Sequence, residues 1–167
     1  MATDAEVAEN RRRAQLRRDN ANRRAFLSGY LYGMCRRNCW VYAPRHGEDI
    51  RTYVSTRRVE PLAVVRLFRV AESFRRAQYA HLDAAARWRA AGQGGTEEGA
   101  WAALGDAFGV SRDCLTADAF VKAGAGPSAE TLQAAARAYG RAGLYVHTDG
   151  AVTLDDHYQD ENGRPKA

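Results

Sequence analysis

The sequence predicts a mainly α-helical protein: a helical core that carries a basic helical arm at its N-terminus and a small β-hairpin near its C-terminus. Three observations predict it. Residues 11–24 hold seven Arg against one acid, with Leu16 their only large apolar side chain, so this stretch has almost nothing to bury and reads as an arm. Between Pro61 and Gly92 thirty residues pass without Gly or Pro, enough for a helix of about 45 Å at roughly 1.5 Å per residue. Near the end, Asp149-Gly150 separates two short β-prone runs, and this dipeptide suits the tight turn of a hairpin.

Local chemistry justifies the elements in order. Thr3 and Glu6 stand at capping-box spacing, and Asp4, Glu6 and Glu9 put negative charge where a helix dipole favours it, so a helix starts here. From Phe26 the pattern changes. Phe26, Leu27, Tyr30, Leu31, Met34 and Cys35 recur at helical spacing and give the continuing helix a face to bury, which places the arm at 1–25 and opens the core at 26. Helical periodicity stops at Asn38, where the β-prone runs Cys39 to Tyr42 and Ile50 to Ser55 flank a turn-rich segment from Ala43 to Asp49; a loop or short hairpin is expected. Pro61 then sits at the first position of one long helix, 60–91. Advancing 100° per residue collects Leu67, Val70, Ala71, Phe74, His81, Leu82, Ala85 and Trp88 on one packing arc, and Arg66, Arg69, Arg76 and Arg87 on the opposite side.

Gly92-Gln93-Gly94-Gly95 ends that helix and divides the core, 26–92, from a C-terminal lobe, 93–154. Three helices are expected in the lobe, over 97–108, 112–123 and 129–141, with Thr96, Ser111 and Ser128 as N-caps and Gly143 as a stop. The hairpin follows, Leu144 to Thr148 and Ala151 to Leu154, and 155–167 form a polar, frayed tail. No internal repeat is present.

Composition bounds the function. Apolar residues at 46% and aromatics at 10% are too many for a disordered chain, and 167 residues can bury a core. Charge is segregated: residues 1–90 carry 19 Arg, no Lys and 9 Asp or Glu, a net +10, whereas 91–167 carry 6 basic and 11 acidic residues, a net −5. A GC-rich coding sequence accounts for Arg in place of Lys, but not for the separation of signs. Arg supplies planar, bidentate phosphate donors, and a basic half attracts phosphate polymers by counterion release. No run of eighteen apolar residues occurs, which excludes a typical spanning helix, and no signal-peptide core precedes the odd set Cys35, Cys39 and Cys114. A soluble intracellular chain is expected, or one assembled inside a cell into a particle, with no membrane partner.

The run Glu9-Asn10-Arg11-Arg12-Arg13-Ala14-Gln15-Leu16-Arg17-Arg18-Asp19-Asn20-Ala21-Asn22-Arg23-Arg24-Ala25 resembles, in composition and spacing, the arginine-rich motifs of phage antiterminators and of some plant-virus coat proteins. That resemblance implies guanidinium groups straddling phosphates. Arg11, Arg12, Arg13, Arg17, Arg18, Arg23 and Arg24, with Arg66, Arg69, Arg76 and Arg87, are the expected phosphate contacts. Tyr30, Tyr32, Trp40, Tyr42 and Tyr53 interleave with further Arg, a pattern that holds single strands by base stacking; Tyr42 and Tyr53, beside the loop, are the expected stacking residues, although rings at such spacings also serve as core.

Residues 101–123 resemble a helix-turn-helix: Leu104-Gly105-Asp106-Ala107-Phe108-Gly109-Val110-Ser111-Arg112-Asp113-Cys114-Leu115 has Gly at the turn, Val after it and Leu115 at a core position. Asp118 stands where an apolar residue is usual, and Asp113 and Asp118 oppose Arg112 and Lys122, so a packed helix pair is the stronger expectation. Cys35 and Cys39 with His46 or His81 match no common zinc spacing and read as buried thiols. No triad, carboxylate pair or phosphate-cradling Gly loop is visible, so neither catalysis, metal nor cofactor is expected. The reading is a nucleic-acid-binding protein, RNA ahead of DNA, that coats or packages its ligand and self-associates as a viral coat or nucleocapsid protein does. Its rivals are a helix-turn-helix DNA regulator and a helical scaffold or adaptor.

Overall fold

The computed structural model describes residues 3–37, 39–43, 45, 47–112 and 118–155. They form a mainly α-helical fold in which helices gather around an aromatic core and a small sheet closes one end.

Helix α1, Asp4–Arg37, runs 34 residues without a break, about 50 Å. The capping box forms as spaced: the Glu6 N–H donates to Thr3 Oγ1 at 3.3 Å and the Thr3 N–H to Glu6 Oε2 at 2.7 Å. Positions 3–17 are exposed throughout, and contact with the body begins at Arg18. This helix, and not 60–91, is the longest described element.

The expected single helix over 60–91 is two: α2, Pro61–Ala77, and α3, Tyr79–Gln93, parted at Gln78 (φ −109°, ψ 18°). Gln78 N–H still donates to the Phe74 carbonyl and the Gln78 carbonyl still accepts from Leu82, each at 2.9 Å, so the bend leaves these backbone groups satisfied. No propensity rule marks it, because it serves packing: Phe74 from α2 and Leu82, Ala85 and Ala86 from α3 are all buried. His81 and Trp88, expected on the packed arc, are exposed, and Trp88 lies against the backbone of Gly126.

The C-terminal lobe begins with α4, Glu97–Ser111, capped by Thr96 Oγ1 accepting from the Gly99 N–H at 3.0 Å. Ser111 is no N-cap. It is buried in the last turn of α4, where its hydroxyl donates to the Ala107 carbonyl at 2.8 Å. Beyond it the described helix of the 112–123 span is the single turn α5, Ala119–Lys122, and α6, Ala129–Arg137, follows Ser128, whose side chain makes no capping bond. Residues 113–117, with Asp113, Cys114 and Leu115, lie outside the described residues, as do 156–167 of the expected tail.

Two features lock these helices together. Gly29 and Gly33 on α1 face Gly105 and Gly109 on α4, and the backbones touch: a Cβ at Gly29 would fall 1.9 Å from the Ala102 carbonyl oxygen, and one at Gly105 2.0 Å from that of Phe26. Beside this crossing, Phe26, Tyr30, Phe74 and Phe108 stack, Phe74 on Phe108 at 4.0 Å and 9°, with the Tyr139 ring edge-on to both Phe74 and Phe108.

The β-prone run after α1 forms a hairpin, β1 (Cys39–Ala43) with β2 (Glu48–Arg51), and the expected C-terminal hairpin forms as β3 (Leu144–Val146) with β4 (Val152–Leu154), turning at Gly150 with φ 85°. The two hairpins are one sheet, in the order β2-β1-β3-β4, joined by a parallel β1–β3 pairing. Its register puts Cys39, Val41, Leu144, Val146, Val152 and Leu154 on the face toward the core, and Trp40, Tyr42, Arg51, Tyr145 and Thr153 on the other.

Candidate nucleic-acid interface

The eleven arginines expected to contact phosphate divide into two groups. Arg11, Arg12, Arg17, Arg24, Arg66 and Arg69 make no ion pair or side-chain hydrogen bond with the described residues. The other five form ion pairs within the chain. Arg13 pairs with Glu9 at 2.8 Å along the exposed arm, a surface contact worth little. Arg18 bridges to Glu97 at 2.9 Å and Asp83 at 3.5 Å, while the amide of the buried Asn22 also donates to Glu97 at 2.8 Å, so the base of the arm is clamped to the start of α4. Arg87 takes the other oxygen of Asp83 at 2.7 Å.

Arg23 and Arg76 share Glu72 with Arg75, at 3.2, 3.0 and 2.9 Å. Hydrogen bonds from Arg75 foremost, then Arg76 and Arg23, overcome the cost of burial and lower this carboxyl from its ordinary 4.5 to about 2. Around it opens a groove of about 840 Å³ between α1 and α2, floored by Leu27, Val65 and Phe68 and rimmed by Arg23, Arg69 and Arg76. The fold thus brings an arm arginine next to two helix arginines that lie some fifty residues away in sequence.

Tyr42, 50% exposed on the outer sheet face, and Tyr53, 62% exposed just past β2, are both open to solvent. Tyr30, by contrast, is fully buried core. The Arg51 guanidinium lies 5.0 Å from the centre of the Trp40 ring, and Tyr145 and His147 meet edge-on at 5.4 Å on the same face. Sequence reading missed Tyr145 and His147 because it treated their hairpin alone; an aromatic at every second residue, Tyr145 and His147 beside Trp40 and Tyr42, was the available signal. Arm and sheet stand at opposite ends of α1, with Arg17 about 30 Å from Arg37 along the axis.

The helix-turn-helix expectation is corrected at its centre. Gly105 and Gly109 make no turn; they lie inside α4, where they admit α1. Arg112, the basic residue on which the rival helix-turn-helix would depend, is wholly buried, donating to Tyr30 Oη at 2.7 Å and to the Gly140 and Tyr139 carbonyls at 3.2 Å. It ties α1, α4 and the end of α6 together and does not reach solvent. Cys35 and Cys39 are buried free thiols, pushed by desolvation up to about 12 and about 11. His46 lies outside the described residues, and His81 is exposed on α3; among the described residues no group of three His, Cys, Asp or Glu could hold a metal ion. No helix described is long and apolar enough to cross a membrane. Compared with known proteins, the chain matches no family, no curated protein and no solved structure.

Proposed function

We propose that this chain is a non-enzymatic protein that binds nucleic acid without regard to sequence, RNA in preference to DNA, and coats or packages it by associating with further copies of itself. One observation carries the reading. The first four turns of α1 project from the body, bury nothing, and hold Arg11, Arg12 and Arg17 free of any described partner. An isolated helix of this length is marginal in water, so a segment of such composition is stabilised when phosphates neutralise it. Arg24, Arg66 and Arg69 extend the set of unpaired guanidinium groups onto the body. The charge contrast between the two halves supports contact between copies, basic surface to acidic surface.

The test is direct. Changing Arg11, Arg12, Arg17 and Arg24 to Gln leaves every described ion pair in place, so the fold is expected to persist while affinity for a single-stranded RNA falls at least tenfold at about 0.1 M salt. Electron microscopy of the wild type with RNA is expected to show regular particles or filaments. Unchanged affinity in the quadruple variant would overturn the reading.

A further inference from the structure

We infer that the outer face of the four-stranded sheet is a stacking platform for unpaired bases, so that the polymer bound is single-stranded; the inference rests on the nucleic-acid reading above. The register places Arg51, Trp40, Tyr145 and Thr153 in one row across β2-β1-β3-β4 and Asp49 opposite Tyr42 in the next, with His147 following directly after β3. Rows of a sheet lie about 6.6 Å apart along the strands and neighbours about 4.8 Å apart across them, so these rings share one face, where Tyr145 and His147 meet edge-on at 5.4 Å. Sheet stability does not require them there, because the other face already buries Cys39, Leu144, Val152 and Leu154 in the core. Two of the rings are open to solvent: Tyr42 is half exposed, and His147 is exposed with its Nε2 2.7 Å from Thr153 Oγ1, while Trp40 and Tyr145 are half-buried.

Charge selects the occupant. At the edge of this face Arg36, Arg51, Thr52 and Tyr53 line a cleft of about 400 Å³. Arg36 is fixed at the cleft by its Nη2, which pairs with Asp106 at 2.7 Å, and its Nε–H is buried, so it contributes charge there and not a free donor. A base lying on Tyr53 therefore has cationic, hydrogen-bonding groups within reach of its phosphate, and an aliphatic or acidic protein surface would use the guanidinium groups or the rings but not both. Every base has a π-face, so such a platform is tolerant of sequence. A duplex hides those faces, and the platform rejects it.

The inference is tested with three probes at one salt concentration: a 20-nucleotide oligouridylate, the same ribose–phosphate chain without bases, and a 20-base-pair RNA duplex. Wild-type protein is expected to bind the oligouridylate at least tenfold more tightly than the abasic chain. Tyr42→Ala with Tyr53→Ala is expected to remove that preference and leave abasic binding unchanged, and Tyr42→Phe with Tyr53→Phe to retain it; both residues are exposed, so folding is checked simply by the melting temperature. Equal wild-type affinity for the base-bearing and abasic chains, or an alanine variant that keeps the preference, overturns the platform while arm-dependent binding of all three leaves the nucleic-acid reading standing. Binding to none of the three overturns both.

Discussion

Gly105 shows how a single residue can reverse an ordinary rule. Replacing a helical Gly by Ala usually stabilises by about 1 kcal/mol, as is expected for the exposed Gly92, whose Cβ would meet nothing within 4 Å. At Gly105 the same methyl would enter the Phe26 carbonyl, so Gly105→Ala is expected to destabilise by about 3 kcal/mol or more, read from urea denaturation. Arg112 makes a second case. Arg112→Met would leave the Tyr30 hydroxyl and two carbonyls without their donor, and a loss of about 3 kcal/mol or more in melting experiments is expected; a DNA-reading arginine would leave stability untouched. Glu72 sets a pH dependence whose sign is fixed by its lowered carboxyl. Its stabilisation, on the order of 2 kcal/mol, is present above pH 4.5 and is lost as pH falls from there toward 2. Thermal melts over that range should show the slope in wild type and a flatter one in Glu72→Gln. Neither the depth of Gly105 nor the burial of Arg112 is written in local sequence, because both depend on what another helix brings within 4 Å.

Among the elements, α1 has two unlike halves in one continuous helix. Its C-terminal half is held by tertiary contacts, through Phe26, Tyr30 and Met34 in the core and Gly29 and Gly33 against α4; its first four turns, before Arg18, have the capping box, the Glu9–Arg13 ion pair and the Gln15–Asp19 bond. The arginines there should therefore report on a polyanion without reporting on stability. Arg11→Gln with Arg12→Gln and Arg17→Gln is expected to reduce the slope of log affinity against log salt by about 2 to 3 for RNA, with an unchanged melting temperature of the body. The start of this helix was readable from Thr3 and Glu6, and its apolar face from the spacing of Phe26, Tyr30 and Met34. The break between α2 and α3 was not. Gln78 carries no Gly or Pro signal, and the bend is chosen by the joint burial of Phe74 and Leu82.

Across the whole molecule, opposite charge on the two halves does not mean two separate bodies. Arg18 and Arg36 from the basic half reach Glu97 and Asp106 of the acidic half, and α1 lies along α4 of that half. Part of the contrast is thus consumed within one chain, and Glu72→Gln, which releases Arg23, Arg75 and Arg76, is expected to raise affinity for RNA severalfold at low salt in a binding titration. By itself the sequence determined the mainly helical class, the C-terminal hairpin and the concentration of arginine, and left residues 39–55 as either a loop or a short hairpin, since each follows from propensity, period or composition over a few neighbouring residues. Tertiary structure alone decided which arginines stay unpaired, that the two hairpins join as β2-β1-β3-β4, and that Tyr145 and His147 share a face with Trp40 and Tyr42. Those outcomes depend on pairings as distant as Trp40 with Tyr145, more than a hundred positions apart, for which a local pattern carries no register.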